Sequence, residues 1–156
     1  MARNGKVDFG DLDDFRQKIK NSLGEQHVDL FIESCAKELA ARLLAKVIKR
    51  TPTGKYPKGS GKKGGTLRRG WTGGKNGSAA TYAQGLKVKH QGNVYTIEII
   101  NPVEYAPYVE FGHRTRGGDG WVEGKFMLTI SEQEIERDAP RILENKLKKK
   151  LGEVFK

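Results

Sequence analysis

The stretch QHVDLFIESCAKELAARLLAKVIKR, residues 26–50, decides the fold. Phe31, Cys35, Leu39 and Leu43 step by four, with Leu44, Val47 and Ile48 beside them. That row is one apolar stripe of a long α-helix, and it needs a core to cover it. Lys49 and Arg50 fall in the last turn, where cations suit the helix dipole, and Pro52 forbids simple continuation. Upstream, Phe9, Leu12, Phe15, Ile19 and Leu23 predict a shorter amphipathic helix over 9–23 that Gly24 stops.

Downstream the period changes to two. Tyr82, Leu86 and Val88 predict one strand, Tyr95, Ile97 and Ile99 the next, and His90–Asn93 the hairpin turn between them. Leu67–Trp71 predicts a short third strand, within an ordered stretch no longer than Thr66–Thr72. Asn101, Pro102 and Glu104 read as a helix start, Pro107 argues against regular continuation, and irregular turns end at Gly112. Arg114–Gly124 is a second Gly-rich loop. Residues 125–156 predict a long C-terminal helix split or kinked at Pro140. The sum is an α+β fold: a small antiparallel β-sheet packed by the long N-terminal-half helix and the C-terminal helix. Residues 1–156 read as a single domain with a helical extension over 1–24.

The chain has 156 residues and a formal net charge of +10. The charge is concentrated. Residues 54–77 hold seven basic residues and no acidic one, among nine glycines. The remaining 132 residues carry only +3. Like charges repel and glycine loses much entropy on ordering, so 54–77 reads as a flexible basic loop. It admits three uses: contact with nucleic-acid phosphate, aided by stacking on Tyr56 and Trp71; docking on an acidic protein surface; or no partner at all.

Several classes fall away. There is no run of 18 apolar residues for a membrane span and no apolar segment after Met1 for a signal peptide. One cysteine, Cys35, forms neither an internal disulfide nor a Cys-based zinc site, which fits a reducing cytoplasm. Gly59–Gly64 matches G-x-G-x-x-G, but no strand precedes it and no helix follows directly, so it is a product of Gly/Lys composition. His27, His90 and His113 are widely spaced, and Glu132, Glu134 and Glu136 alternate around a helix. We therefore expect no cofactor, no metal, no catalytic residue and no enzymatic activity.

The segment Asn101–Arg116, NPVEYAPYVEFGHRTR, adds a resemblance. Its core, Tyr105, Ala106, Tyr108, Val109, Glu110, Phe111 and Gly112, resembles the signature of a tail-component family of long-tailed bacteriophages and defective prophages, the tail-completion or tail-to-head joining proteins. The helix ending at Thr51–Gly54, the basic segment with Thr66–Arg69, the hairpin, and Phe126-Met127 opening a C-terminal helix fit the same family. The resemblance spans roughly residues 27–140. His113 stands where Thr is more usual, and Lys125 where Pro is common. The resemblance implies a structural subunit of the virion, made in the bacterial host cytoplasm. It would assemble as a ring, typically six-fold, on the head-proximal end of the tail and meet the head connector. Its partners would be other tail and connector proteins and further copies of itself, with possible contact to DNA and none to membrane. The residues expected to carry assembly are Lys55, Lys58, Lys62, Lys63, Arg68 and Arg69 on the loop. The motif residues Tyr105, Tyr108, Glu110, Phe111 and Gly112 join them, its aromatics serving as hairpin core or as an interface anchor. The alternative is a DNA-binding protein that uses the 54–77 loop.

Overall fold

The computed structural model describes residues 4–6, 16–17, 21, 24–74 and 77–154. In chain order these form β1 (Asn4–Lys6), α1 (Glu25–Arg50), α2 (Thr66–Gly70), α3 (Ala79–Gln84), β2 (Val88–Gln91), β3 (Val94–Ile100), α4 (Ala106–Phe111), β4 (Gly112–Arg114), β5 (Trp121–Glu123) and α5 (Met127–Val154). The fold is α+β, as the periodicities predict. The helix expected over 9–23 lies mostly outside the described residues.

α1 buries the predicted stripe. Phe31, Cys35, Leu39, Leu43, Leu44 and Val47 sit in one core with Val28, Ile32, Ala36 and Ala40. β3 supplies Tyr95, Ile97 and Ile99 from one face, while Val94, Glu98 and Ile100 stay outside, a clean period of two. β3 is central in a three-stranded antiparallel sheet, ordered β1-β3-β2. Its hairpin with β2 pairs Val88 with Ile97 and Gln91 with Val94, so Gly92-Asn93 make the turn. β1 pairs Asn4 with Ile100. Nothing in Asn-Gly-Lys announces a strand; it is held by the free edge of β3.

Four expectations change. Tyr82 and Leu86 do not lie on a strand. Ser78 caps α3, its Oγ accepting from the Thr81 N–H at 3.1 Å, and Ala79-Ala80 favour helix. The four-residue step from Tyr82 to Leu86 satisfies a helical face as well as a strand. Lys37 Nζ donates to Gln84 O at 2.9 Å, placing a cation at the α3 C-terminus. Leu67–Trp71 is also helical rather than a third strand, with Leu67 and Trp71 buried.

The second Gly-rich loop contains a hairpin, β4–β5, pairing His113 with Val122. Thr115 clasps its turn: its N–H donates to Gly120 O at 2.9 Å and its Oγ1 accepts from Gly120 N at 3.1 Å. Finally, α5 is one helix through Pro140. Pro140 forfeits a single backbone bond, and packing of Ile135, Ile142 and Leu143 on either side holds the helix together.

Between α1 and α5, Glu134 takes Lys46 Nζ at 2.8 Å and both terminal nitrogens of Arg50. Arg50 also donates to Ser131 Oγ at 3.0 Å. These bonds clamp the end of α1 to the first half of α5.

Candidate assembly surface

The basic segment resolves into two parts with different roles. Lys55, Lys58, Lys62 and Lys63 are all exposed on a loop whose ends meet. Gly54 and Gly64 form its neck: a side chain at Gly64 would put Cβ 2.0 Å from Gly54 O, so only glycine permits this closure. Pro57 O accepts from Ser60 N at 3.2 Å at the tip, and Lys62 Nζ stands 5.9 Å over the Tyr56 ring. Among these lysines no carboxylate comes within ion-pair distance in the described residues. Four like charges thus face solvent with no carboxylate paired to them among the described residues.

Arg68 and Arg69 are anchors of the fold. The Arg68 guanidinium donates twice to Thr51 O, at 2.7 and 3.2 Å, capping the C-terminus of α1. Arg69 Nη1 reaches Gly64 O at 3.3 Å and ties down the neck. Trp71, which sequence reasoning allowed as a stacking platform, is 2 % exposed and donates its indole N–H to Thr51 Oγ1 at 2.8 Å. It is unavailable to a base.

The motif residues divide in the same way. Glu110 is buried, and its carboxylate accepts from the N–H of Leu128 at 2.9 Å, the N–H of Thr129 at 2.9 Å and the hydroxyl of Thr129 at 2.7 Å. It caps α5 from another element, joining an anion to the positive end of the helix dipole. Gly112 ends α4 at φ +86°, and a Cβ there would come within 2.4 Å of Val122 O. Both residues hold the β4–β5 hairpin and α5 against α4.

Tyr105, Tyr108 and Phe111, by contrast, are 46, 59 and 49 % exposed. They are not hairpin core. Trp121, Val122, Phe126 and Ile130 join them, so seven of the eleven large apolar side chains exposed among the described residues fall between positions 105 and 130. Phe111 meets Phe126 edge-on at 6.4 Å, and Tyr108 meets His113 at 5.8 Å. Phe126 adopts φ +46°, a costly backbone for a side chain with a β-carbon. Its N–H donates to Glu110 O at 3.0 Å, which fixes the ring outward beside Phe111.

The two surfaces adjoin. A cavity of about 270 Å³ opens between the loop neck and α4, lined by Tyr56, Lys63 and Gly64 on one side and Tyr105 and Val109 on the other. An aromatic face flanked by a lysine loop suits protein docking: apolar area supplies affinity, and the rim charge steers the approach. Sequence reasoning left Trp121, Val122, Phe126 and Ile130 off the candidate surface because it placed the first two in a Gly-rich loop and the other two at the start of the C-terminal helix. The dipeptide Trp-Val inside a Gly-rich stretch was the available signal for a strand.

The described residues thus carry an exposed aromatic motif hung on a scaffold of two long helices. The family described as "Bacteriophage HK97-gp10, putative tail-component" matches residues 13–112, nearly two-thirds of the chain. The chain belongs to this family of bacteriophage tail components. No curated protein and no solved structure matched it. Among the described residues no helix is long and apolar enough to cross a membrane.

Proposed function

We propose that the chain is a non-enzymatic structural subunit of the virion that caps the head-proximal end of the phage tail and joins it to the head connector, assembling there as a ring. The observation that carries this reading is the concentration of exposed aromatics on the family motif, beside the lysine loop. Phe111, Phe126, Tyr105 and Tyr108 dock on a neighbouring subunit, and Lys55, Lys58, Lys62 and Lys63 meet carboxylates on that subunit or on the tail tube. A ring uses head-to-tail contacts, so the face that docks differs from the face that receives it. A free subunit carrying +10 repels its copies and stays dispersed until the tail offers a partner.

The test is co-sedimentation with purified tail tubes, together with complementation of a phage lacking this protein. Two variants are used: deletion of residues 55–63, whose flanking glycines already touch, and Tyr108→Ser with Phe111→Ser. Both should keep the wild-type circular dichroism and lose tube binding and infectivity. If both bind tubes and restore infectivity like the parent, this assignment of the surface is wrong. Electron micrographs of capped tubes then read the ring directly.

A further inference from the structure

Outside residues 54–77 the chain carries only +3, yet its charges are segregated. Along α5, residues 127–136 carry three carboxylates and no cation, whereas residues 137–150 carry six cations and two carboxylates. That basic half packs beside α1. Between them lies an open groove of about 420 Å³, lined by Glu38, Arg42, Arg141, Asn145, Lys146 and Lys149 above Ile142.

Glu38 is the one carboxylate lining it. Its Oε1 accepts from Arg42 at 3.0 Å, and its Oε2 faces Lys146 Nζ at 2.9 Å. A single anion therefore serves two cations, while Arg141 and Lys149 have no carboxylate partner among the described residues. Arg141, Asn145 and Lys149 follow at four-residue steps, so they share one helix face. Arg141 and Lys149 lie about 12 Å apart along the axis at ~1.5 Å per residue.

We propose that this groove binds the phosphate backbone of duplex nucleic acid without sequence preference. The span covers about three to four phosphates of one strand at ~3.4 Å of duplex axis each. Arginine forks and lysine ammoniums are the donors that phosphate oxygens take, and Asn145 adds a neutral one. No aromatic ring lines the groove, so it offers no platform for the unstacked bases of a single strand. Its apolar floor, Ile142, is 8 % exposed, so a protein partner would find no anchor pocket. The groove shares no lining residue with the aromatic face or the lysine loop, and the inference stands apart from the assembly reading.

The experiment is fluorescence anisotropy of the full chain with a labelled mixed-sequence 20-bp duplex between 50 and 200 mM NaCl. Arg141→Gln with Lys149→Gln, both at exposed positions, should flatten the log–log salt slope by about 1.8, which reduces the affinity lost across that range about 12-fold. Glu38→Gln should instead tighten binding, because Arg42 and Lys146 lose their counter-charge; damage to the fold would not produce a gain. The proposal is overturned if the double variant keeps the parental slope, if the parent fails to bind duplex at 50 mM, or if Lys55, Lys58, Lys62 and Lys63 changed together to Gln abolish binding while the groove variant does not. Polyglutamate of matched charge is the comparison ligand. If it binds as tightly as duplex, the groove takes acidic polypeptide and the phosphate assignment fails.

Discussion

Glu110 and Thr129 are joined twice: one carboxylate oxygen accepts from both the backbone N–H of Thr129 and its hydroxyl, at 2.9 and 2.7 Å. A motif residue that reads from sequence as a surface contact is in fact the cap of the longest helix. Glu110→Gln replaces one accepting oxygen by a donor facing donors and should cost about 1–3 kcal/mol. Glu110→Ala should cost at least as much. In a chain of this size each kcal/mol lowers the thermal midpoint by about 2–4 °C, so calorimetry decides. A variant as stable as the parent would mean the cap contributes nothing.

Thr51 serves three partners at the end of α1. Its hydroxyl donates to Val47 O at 2.6 Å and accepts from Trp71 Nε1 at 2.8 Å, and its carbonyl takes Arg68. Thr51→Val keeps the shape and strands the buried indole N–H. We expect a loss of about 1–3 kcal/mol by urea unfolding, without change in the slope.

The clamp between α1 and α5 sets a pH dependence. Hydrogen bonds from Arg50 and then Lys46, aided by their charges, hold the Glu134 carboxyl down at about 2. A carboxyl lowered in the folded state stabilises it above the ordinary carboxylate range, and this contribution fades as pH falls from about 4.3 toward about 2. Glu134→Gln should therefore unfold at lower temperature than the parent at pH 7, with the gap closing by pH ~2. A gap that stays constant across that window would show that Glu134 acts through packing alone.

Cys35 gives a direct report on the core. Burial pushes its thiol up to about 12, the nearby Lys146 offsetting this in part. It should resist aromatic disulfide reagents at pH 8 and react promptly in denaturant. Native reactivity comparable to a free thiol would place α1 outside the core.

The two long helices and β3 were legible because their apolar residues repeat at one period, as in Phe31–Val47 and Tyr95–Ile99; β2 was not, for it begins at Val88, where the expected strand ends, and His90 and Gln91 belong to it rather than to the turn. Short elements were not. Tyr82 and Leu86 fit both periods, and the cap at Ser78 decided between them. Asn4–Lys6 has no strand character of its own, and the edge of β3 recruits it. At the site, the exposed lysines were readable from composition. The anchoring roles of Arg68 and Arg69 were not, since an arginine engaged by a distant carbonyl looks in sequence like any other. Glu110 was singled out by its motif, but its partners lie 18 and 19 residues away.

The clamp of Lys46 and Arg50 on Glu134 has a consequence for birth as well as stability. Lys46 and its partner are separated by 88 residues. At ~5–20 residues per second of synthesis, α1 emerges from the ribosome about 4–18 s before the helix that covers it. During that interval Phe31, Leu39 and Leu43 have no α5 to shelter them, so a nascent chain stalled before Met127 is the form in which a chaperone would find this protein.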